Sequence, residues 1–406
     1  MPDRPAGDLA VADLLEQSSL GVPGLYRRHA ERNLSAIASA VMTAFDRGDG
    51  SGSSGSGSSG SSGSSPLRLG RDRRLVVIAV DGLGFEHAAR TLRPAALTAL
   101  TSEFPTTTVA CLLTSLTGQP TDAHGFIGVQ YLHEDGLRAV NCHDGQLAAP
   151  TERAAARPTV TPAFPTIFDI ASRAAVHTVA VPNEIGLLRH DLCGRMLHGA
   201  EVIVPAVPQP ADLPARAEAF GAALSTGAAA RPATLTWAYF DLDSHIHRDG
   251  FDQEVDDAAA VLGQLAARLS EGGATVLIYS DHGLTANHPS AETLRVWDEA
   301  SGDRCCRLPA GGAGRVRWLY PRSGHGGRLA GLLSDGIPDA VVTDPDQIAR
   351  WGLVRTGSIG QRRLGEIVLL ARGPDFPAPD TTTAFEHGSM TADEVLVPMA
   401  IWYSGR

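Results

Sequence analysis

The most regular feature of the chain is an alternation of short apolar runs with amphipathic segments from residue 67 onward. The apolar runs have the length of strands and stop at polar residues or glycine, which is typical of strands buried on both faces. The predicted strands are Leu75–Val80, His177–Val181, Thr234–Phe240, Ala274–Ser280, Arg315–Tyr320, Ala340–Thr343, Glu366–Ala371 and Val395–Trp402. The predicted helices between them are Val109–Leu116, Pro165–Ala174, Ala211–Leu224, Asp252–Leu269, Arg328–Leu333 and Asp346–Trp351. This alternation predicts an α/β fold with a mostly parallel central sheet and helices on both faces.

The same pattern divides the chain into three parts. Residues 1–47 carry apolar residues at helical spacing in two runs, Ala10–Leu15 and Ala30–Phe45, and are predicted to form an N-terminal helical arm. Residues 48–66 are almost entirely Gly and Ser, which indicates a flexible linker. Residues 67–406 are predicted to form the main domain, in which about 285–360 is less regular and is interpreted as a small inserted cap or lobe. The arm is expected to pack on the main domain, although the linker would also let it reach a neighbouring subunit.

Composition narrows the classes of partner. The 406 residues are 43% hydrophobic, the net charge is −11, and all 34 basic residues are arginine. An acidic chain without basic clusters argues against binding of a nucleic acid polymer. Without lysine, any phosphate group must be held by Arg, His, backbone N–H groups or a metal ion. Monomer and homodimer both stay open.

The cysteines and the apolar stretches bear on the compartment. The five cysteines, an odd number, form neither a disulfide framework nor a CxxC zinc motif: Cys111, Cys142, Cys193, Cys305 and Cys306. They are therefore interpreted as free thiols in a reducing compartment. No signal core and no run of about 18 apolar residues is present, so a cytoplasmic protein without membrane association is expected.

Candidate metal ligands follow several of the predicted strands. Each has an ordinary alternative, because a polar residue at a strand end is often a cap, a turn or a solvated loop. Taken together, they supply enough oxygen and nitrogen ligands for two zinc-like ions at the carboxyl edge of the sheet. One set is Asp81, Asp281 and His282, and the other is Asp243, His247 and His387.

A hydroxyl group accompanies these ligands. Residues 104–108 read Phe-Pro-Thr-Thr-Thr and directly precede a predicted helix. Thr108 therefore lies near a helix N-terminus, where backbone N–H groups favour an anion.

In this order the motifs resemble the alkaline phosphatase superfamily and, within it, bacterial stand-alone members of the type I phosphodiesterase/nucleotide pyrophosphatase family. The resemblance covers the chain from about residue 75 to its end. The matching segments are Val-Asp-Gly at 80–82, Phe-Pro-Thr-Thr-Thr at 104–108, Leu-Thr-Gly at 116–118, His-Gly at 124–125, Asp243-x-x-x-His247, Asp281-His282-Gly283 and His387-Gly388.

The resemblance implies an enzyme that holds two Zn²⁺ ions, with Mn²⁺ as an alternative. Thr108 would be a ligand of the ion held by Asp81, Asp281 and His282. It would also be the nucleophile, because it falls 16 residues before His124 as in the family pattern, with Thr106 and Thr107 as alternatives.

The implied reaction is hydrolysis of a phosphodiester or pyrophosphate bond in a nucleotide or similar small ester, through a covalent phospho-threonine. The alternative is a phosphomonoesterase or phosphonate-ester hydrolase that uses the same site. A phosphoglycerate-mutase-like enzyme would be expected to have a serine nucleophile. A degenerate binding module would be expected to have lost ligands, and all of them are present.

The substrate pocket departs from the family pattern. Val129 stands where eukaryotic members have Asn, and Ala110–Leu112 replaces the usual Pro-Asn-His. The predicted substrate contacts are Val129, Gln130 and Tyr131, with His143, Asp144, Asn183 and Glu184 as further pocket candidates. Phe126 and Tyr131 favour a diester, whereas an arginine in the pocket would favour a monoester: Arg189, Arg195 or Arg248.

Overall fold

The computed structural model describes most of the chain, and all structural statements below refer to this part. The described residues are 6–45, 74–133, 139–141, 147–148, 164–182, 196–204, 212–229 and 234–404. The linker predicted at 48–66 and the pocket candidates His143, Asp144, Asn183, Glu184, Arg189 and Arg195 lie outside them.

Helices and strands are labelled in chain order. The helices are α1 (Ala6–Ser18), α2 (Ser35–Phe45), α3 (Phe85–Thr91), α4 (Thr108–Thr117), α5 (Thr121–His124), α6 (Ile167–Arg173), α7 (Leu213–Ala229), α8 (Asp243–Asp249), α9 (Gln253–Glu271), α10 (Ala291–Ser301), α11 (Gly326–Gly336), α12 (Pro345–Arg350), α13 (Ile359–Arg363) and α14 (Ala392–Val395). The strands are β1 (Arg74–Asp81), β2 (Ala96–Thr101), β3 (Gln130–Leu132), β4 (Ala139–Asn141), β5 (Leu147–Ala148), β6 (His177–Pro182), β7 (Glu201–Val202), β8 (Thr234–Asp241), β9 (Thr275–Ser280), β10 (Thr285–Ala286), β11 (Gly311–Ala313), β12 (Val316–Leu319), β13 (Ala340–Thr343), β14 (Ile367–Ala371), β15 (Phe385–Glu386) and β16 (Leu396–Trp402).

The central sheet has the strand order β2-β16-β9-β1-β8-β6-β7. The strands from β9 to β7 pair in parallel, and β16 runs antiparallel between β2 and β9. Alternate residues of β1 face opposite sides: Val77 packs in one apolar cluster and Ile78 in the other. Helices α2, α4 and α6 cover the first face, whereas α3, α7 and α9 cover the second. The predicted α/β architecture with a mostly parallel, doubly covered sheet is confirmed.

A second sheet is antiparallel and has the order β13-β14-β12-β11-β3-β4-β5. It combines strands from 130–148 with strands from 311–371, so its members are far apart in the sequence. Three of the predicted strands lie in this sheet and not in the central one. A satellite core beneath it includes Trp297, Leu329 and Leu369.

The start of one helix and the presence of one strand differ from the sequence prediction. The helix predicted at 30–45 begins only at Ser35, because the Asn33 carboxamide accepts a hydrogen bond from the Ser35 backbone N–H at 2.9 Å. Strand β2 has no counterpart among the predicted strands, since its sequence, Ala-Leu-Thr-Ala-Leu-Thr, is short and carries threonine at every third position. It lies at the edge of the sheet, where it pairs with β16 and where Thr101 also forms an isolated bridge with Asn33.

The N-terminal arm packs against helix α4. Ile37 and Val41 of α2 share a core with Leu112 and Leu116 of α4. Each of these side chains is at most 2% exposed, so the contact excludes water from that face of α4. No helix among the described residues is long and apolar enough to cross a bilayer.

Helix α4 is also anchored at His124. The Phe126 backbone N–H donates to His124 Nδ1 at 3.1 Å, so Nε2 carries the hydrogen and faces Thr114 Oγ1 of α4 at 3.2 Å. Burial, together with a smaller effect of the nearby Arg363, lowers the pKa of His124 to about 3. The imidazole is therefore neutral at pH 7 and acts as a structural link.

The first prediction concerns the packing of the arm. Ile37→Ala should lower the free energy of unfolding by about 2–4 kcal/mol, because it removes a fully buried side chain and leaves a cavity between α2 and α4. Ser39→Ala, on the exposed face of the same helix, should change it by less than about 0.5 kcal/mol. Urea denaturation measures both, and equal stabilities for the two variants would contradict the packing.

The second prediction concerns pH. Because the folded-state pKa of His124 lies below its unfolded value, the unfolded state binds the proton more tightly, and stability from this residue is lost as pH falls below about 6.5. The loss reaches at most about 1.4 kcal/mol per pH unit. His124→Gln cannot titrate, so the stability gap between wild type and variant should narrow from pH 7 to pH 5. A gap that stays constant in urea titrations across this range would rule out a neutral buried His124.

Candidate metal centre

The site begins with the alignment of three strand ends. In the parallel sheet, Asp81 at the end of β1 lies opposite Asp241 of β8, and Val80 lies opposite Ser280 at the end of β9. Asp281 and His282 follow Ser280 directly. The register of the sheet therefore brings several acidic side chains to one edge.

The first group of potential ligands is fully buried. One ligand atom from each of Asp81, Asp281 and His282 lies within 4.8 Å of the others. His282 Nε2 is 3.4 Å from Asp81 Oδ1 and 3.6 Å from Asp281 Oδ2. All three side chains are at most 4% exposed.

Neighbouring donors orient these carboxylates and leave one oxygen of each without a hydrogen bond. The Tyr239 hydroxyl donates to Asp81 Oδ2, and the His282 backbone N–H donates to Asp281 Oδ1 at 3.0 Å. Asp81 Oδ1 and Asp281 Oδ2, the two oxygens nearest the His282 ring, accept no hydrogen bond. A buried carboxylate oxygen without a partner is costly, and a cation would remove that cost. The first group therefore fits a metal ion.

The charge distribution supports the same fit. Burial and then the neighbouring Asp281 and Asp243 raise the pKa of Asp81 well above its usual range. Burial and then Asp243 raise the pKa of Asp281 to about 7. Burial and then the facing His387 hold the pKa of His282 well below its usual range. The site thus combines crowded carboxylates with a neutral imidazole, which is a donor set suited to a divalent cation.

The second group comes from helix α8 and the loop after β15. Asp243 and His247 are four residues apart on α8, which places His247 Nε2 3.1 Å from Asp243 Oδ2. His387 Nε2 lies 3.8 Å from Asp243 Oδ1, an oxygen that accepts no hydrogen bond. The three ligand atoms lie within 4.8 Å of one another.

Both histidines of the second group are held through their other ring nitrogen. His247 Nδ1 lies 2.7 Å from the Phe385 carbonyl and His387 Nδ1 lies 2.6 Å from the Thr106 carbonyl. A carbonyl only accepts hydrogen bonds, so each Nδ1 carries the hydrogen. This leaves each Nε2 on the side of Asp243, and Nε2 is the ring nitrogen that such histidines offer to a metal ion.

The charges of the second group differ from those of the first. Burial alone would raise the pKa of Asp243, but His387 and His247 outweigh it and hold the pKa below its usual range. Burial would lower the pKa of His247, but its hydrogen bond with Asp243 raises it to about 9. Asp243 is therefore the ionised carboxylate of the second group.

Thr108 lies at the first residue of α4, beside the first group. Its Oγ1 is 3.3 Å from Asp81 Oδ2 and 3.2 Å from His282 Nε2. Thr106 is differently engaged, because its hydroxyl donates to the Ser389 carbonyl at 2.8 Å and accepts from the Gly388 N–H at 2.9 Å. The His282 and His387 rings stack with centroids 3.9 Å apart and so connect the two groups.

A pocket of about 710 Å³ opens on Thr108 and the second group. Val129, Gln130 and Arg248 line it, as does Thr107, whereas Tyr131 does not. Tyr131 is buried, with the Arg363 guanidinium carbon 4.8 Å from its ring centroid.

Several residues that the sequence reasoning did not select also shape the site. Tyr239 faces Asp81, and Glu386 accepts from the His387 backbone N–H at 3.0 Å. Glu394 accepts from the Ser389 N–H at 2.9 Å and pairs with Arg315 at 3.2 Å, which fixes the loop that carries His387. Residues 391–394, Thr-Ala-Asp-Glu, form a capping box, and this motif was a readable signal for Glu394.

A glycine run on β11 and the following turn approaches the same loop. A Cβ at Gly314 would lie 1.9 Å from the His387 carbonyl oxygen, and Gly314 has φ of +47°. A side chain at this position would displace His387, so the close approach requires glycine.

Comparisons with solved structures agree with this architecture. The chain is similar to murine ectonucleotide pyrophosphatase/phosphodiesterase 5, with 17% identity, a TM-score of 0.57, and coverage of 81% of this chain and 88% of that chain. An inactive variant of the murine protein, with threonine replaced by alanine and in complex with AMP, gives 15% identity, a TM-score of 0.57 and the same coverage. Phosphonoacetate hydrolase from Sinorhizobium meliloti 1021, in complex with phosphonoformate, gives 19% identity, a TM-score of 0.59, and coverage of 82% and 91%. At these identities the likeness shows the fold.

A search of curated proteins found no significant match. A family model described as type I phosphodiesterase/nucleotide pyrophosphatase matches residues 75–332, which is more than half of the chain. This span contains the first ligand group, Thr108 and helix α8. The chain therefore belongs to the type I phosphodiesterase/nucleotide pyrophosphatase family of hydrolases, within the alkaline phosphatase superfamily.

Proposed function

We propose that this protein is a two-zinc hydrolase that cleaves a phosphodiester or pyrophosphate bond of a nucleotide or similar small ester, with Thr108 as the nucleophile. The observation that carries the proposal is the position of the Thr108 hydroxyl group, which lies within 3.3 Å of two members of the first ligand group, Asp81 and His282. In this buried group, Asp81 Oδ1 and Asp281 Oδ2 accept no hydrogen bond. A structural threonine at a helix start would not need a buried carboxylate and a buried imidazole beside its hydroxyl group.

Asp81, Asp281, His282 and Thr108 would hold one ion, and Asp243, His247 and His387 would hold the other. The oxygen and nitrogen donors suit zinc, with Mn²⁺ as the alternative. When bound, such ions lower the pKa of a hydroxyl group and offset negative charge on phosphoryl oxygens.

The chain's own groups position the reacting hydroxyl. Asp81 Oδ2 accepts the hydrogen bond from Thr108, and its other strong donor, Tyr239, fixes this carboxylate. Thr108 Oγ1 attacks phosphorus, a Thr108 Oγ1–P bond forms and the P–O bond to the leaving group breaks. Water then attacks the phospho-threonine and the Oγ1–P bond breaks, so two inversions give net retention at phosphorus.

Thr108 is favoured over the other two threonines as the nucleophile. The Thr106 hydroxyl is engaged with backbone groups of Gly388 and Ser389. Thr107 precedes α4 as its N-cap residue and has no hydrogen bond to the first ligand group among the described contacts. The similar murine protein, inactive after a threonine-to-alanine change and bound to AMP, supports both a threonine nucleophile and a nucleotide-like substrate.

The second candidate function is hydrolysis of a phosphonate or phosphomonoester at the same site. It is favoured by the similarity to a phosphonoacetate hydrolase and by Val129 at the position where eukaryotic members have Asn. The cytoplasmic location and the oligomeric state, monomer or homodimer, stay predictions.

The third prediction tests the nucleophile. Thr108→Ala should lower turnover of bis-p-nitrophenyl phosphate at least about 1,000-fold, because the covalent step needs the hydroxyl oxygen. Metal content, measured by atomic emission, should be largely retained, because Thr108 contacts only Asp81 and His282 among the six other proposed ligands and the remaining four are oriented without it. Thr117→Ala, which removes a hydroxyl at the far end of the same helix, should retain turnover. Unchanged turnover in Thr108→Ala would exclude Thr108 as the nucleophile.

The fourth prediction tests the substrate class. The zinc-loaded protein should hydrolyse bis-p-nitrophenyl phosphate with a higher kcat/KM than p-nitrophenyl phosphate. The reason is that the 710 Å³ pocket leaves room for a second ester group beside Thr108. A monoester preference that is also lost in Thr108→Ala would keep the nucleophile and assign the second candidate function.

A further inference from the structure

The pocket beside Thr108 contains a buried arginine that the reaction above does not use. Arg317 lies on β12 of the second sheet, lines the pocket and is 9% exposed. Its guanidinium carbon lies 4.6 Å from the ring centroid of Trp297. Arg317 Nε and Nη1 donate to the carbonyls of Gly311 and Pro377 at 3.4 and 3.2 Å. The plane of the guanidinium is thus fixed by an aromatic ring and two neutral acceptors.

The charge of Arg317 has no close counter-charge. Among the described residues no carboxylate oxygen lies within 4.0 Å of its guanidinium, and Nη2 donates no hydrogen bond to them. Arg315, two residues earlier in the chain and also buried, instead pairs with Glu394 at 3.2 Å. Arg315 therefore belongs to a structural ion pair, whereas the guanidinium of Arg317 lies at the pocket wall without a carboxylate partner among the described residues.

The surrounding electrostatics keep Arg317 charged. Burial lowers the pKa of Arg317 to about 10, while Glu386 acts in the opposite direction, so the group stays protonated at neutral pH. Glu386 also lines the pocket, and burial raises its own pKa. Its carboxylate contacts the histidines, 3.7 Å from His247 Nδ1, and does not pair with Arg317.

We propose that Arg317 forms an anion subsite that binds a second negatively charged group of the substrate, a phosphate or a carboxylate, while the reacting phosphoryl group lies at Thr108. The location of the reacting group rests on the proposed function. A guanidinium suits this role because its planar donors match the oxygens of a carboxylate or phosphate. The favoured substrates are then pyrophosphate-type esters or carboxylated phosphonates, and a simple diester with one charge gains nothing from Arg317.

The test uses the full-length, zinc-loaded protein and direct binding. Calorimetric titrations compare two pairs of probes: inorganic phosphate with pyrophosphate, and methylphosphonate with phosphonoacetate. Within each pair the second probe adds one anionic group, a phosphate in the first pair and a carboxylate in the second. Zinc content after each titration shows that the probe has not removed the metal.

In wild type, pyrophosphate should bind at least 10-fold more tightly than phosphate, or phosphonoacetate at least 10-fold more tightly than methylphosphonate. The pair that shows this preference identifies the second anionic group as a phosphate or as a carboxylate. Below, pyrophosphate and phosphonoacetate are called the two-anion probes, and the other member of each pair is called the one-anion probe. Arg317→Gln should weaken that probe at least 10-fold and the one-anion probe less than 3-fold. Arg317→Lys should keep part of the preference, since it retains the charge. Arg307→Gln should keep all of it, because Arg307 is likewise placed against an aromatic ring, Tyr320, but lies outside the pocket lining.

The proposal fails if wild type shows no preference in either pair, if Arg317→Gln keeps the preference, or if that variant loses both members of a pair equally. The last result would assign Arg317 a structural role, which a lowered melting temperature would accompany. A failure of the anion subsite can be distinguished from a failure of the proposed function, because the first is measured by binding and the second by hydrolysis. Protein that shows the binding pattern without hydrolysing any phosphodiester keeps the subsite and loses the proposed reaction, and the converse result loses the subsite alone.

Discussion

The repulsion among carboxylates at one edge of the central sheet is the constraint on which the rest of the structure depends. Asp81 and Asp281 end neighbouring parallel strands, and Asp243 begins the helix that follows the third strand. Burial and this mutual repulsion raise the pKa of Asp81 and Asp281, and no arginine among the described residues pairs with any of the three. A fold that held these groups only for stability would be expected to pair or replace them. The arrangement is accounted for by a cationic ligand.

The second sheet and the arm supply the rigidity that such a site requires. His387 is held by the Thr106 carbonyl, and the loop that carries it is fixed by Glu394 and by the tight approach of Gly314. Helix α4, which begins at Thr108, is packed from behind by α2. Ligands from four separate segments can keep sub-ångström positions only when each segment is independently anchored.

The sequence predicted those parts of the structure that depend on local pattern. The strands β1, β8 and β9 are buried on both faces, so their continuous apolar runs could be recognised in the sequence. The acidic residues at or just after their ends lie at one edge of the sheet, because the carboxyl ends of parallel strands meet there. The second sheet could not be derived in this way, since it joins β3 to β11 across about 180 residues and its register depends on glycines with no pattern of their own. The environment of Arg317 could not be predicted either, because a single arginine in a strand does not indicate whether a carboxylate faces it. The start of helix α2 was predicted too early, because Asn33 forms a bridge with Thr101 of β2 and this tertiary contact ends the preceding segment.

The two ligand groups and the wall of the pocket come from different parts of the protein. Asp81, Asp281 and His282 lie at strand ends of the central sheet, and their positions follow from the register of strands whose cores cannot shift without exposing apolar side chains. Part of the pocket wall comes from the second sheet and the turn after β11, where the backbone run from Gly311 to Gly314 and the side chain of Arg317 face the same space. A substitution of Arg317 would change the charge of this wall, whereas a side chain at Gly314 would displace His387 of the second ligand group. The proposed anion subsite therefore concerns which substrate the pocket accepts, and not how the two ligand groups are held in place.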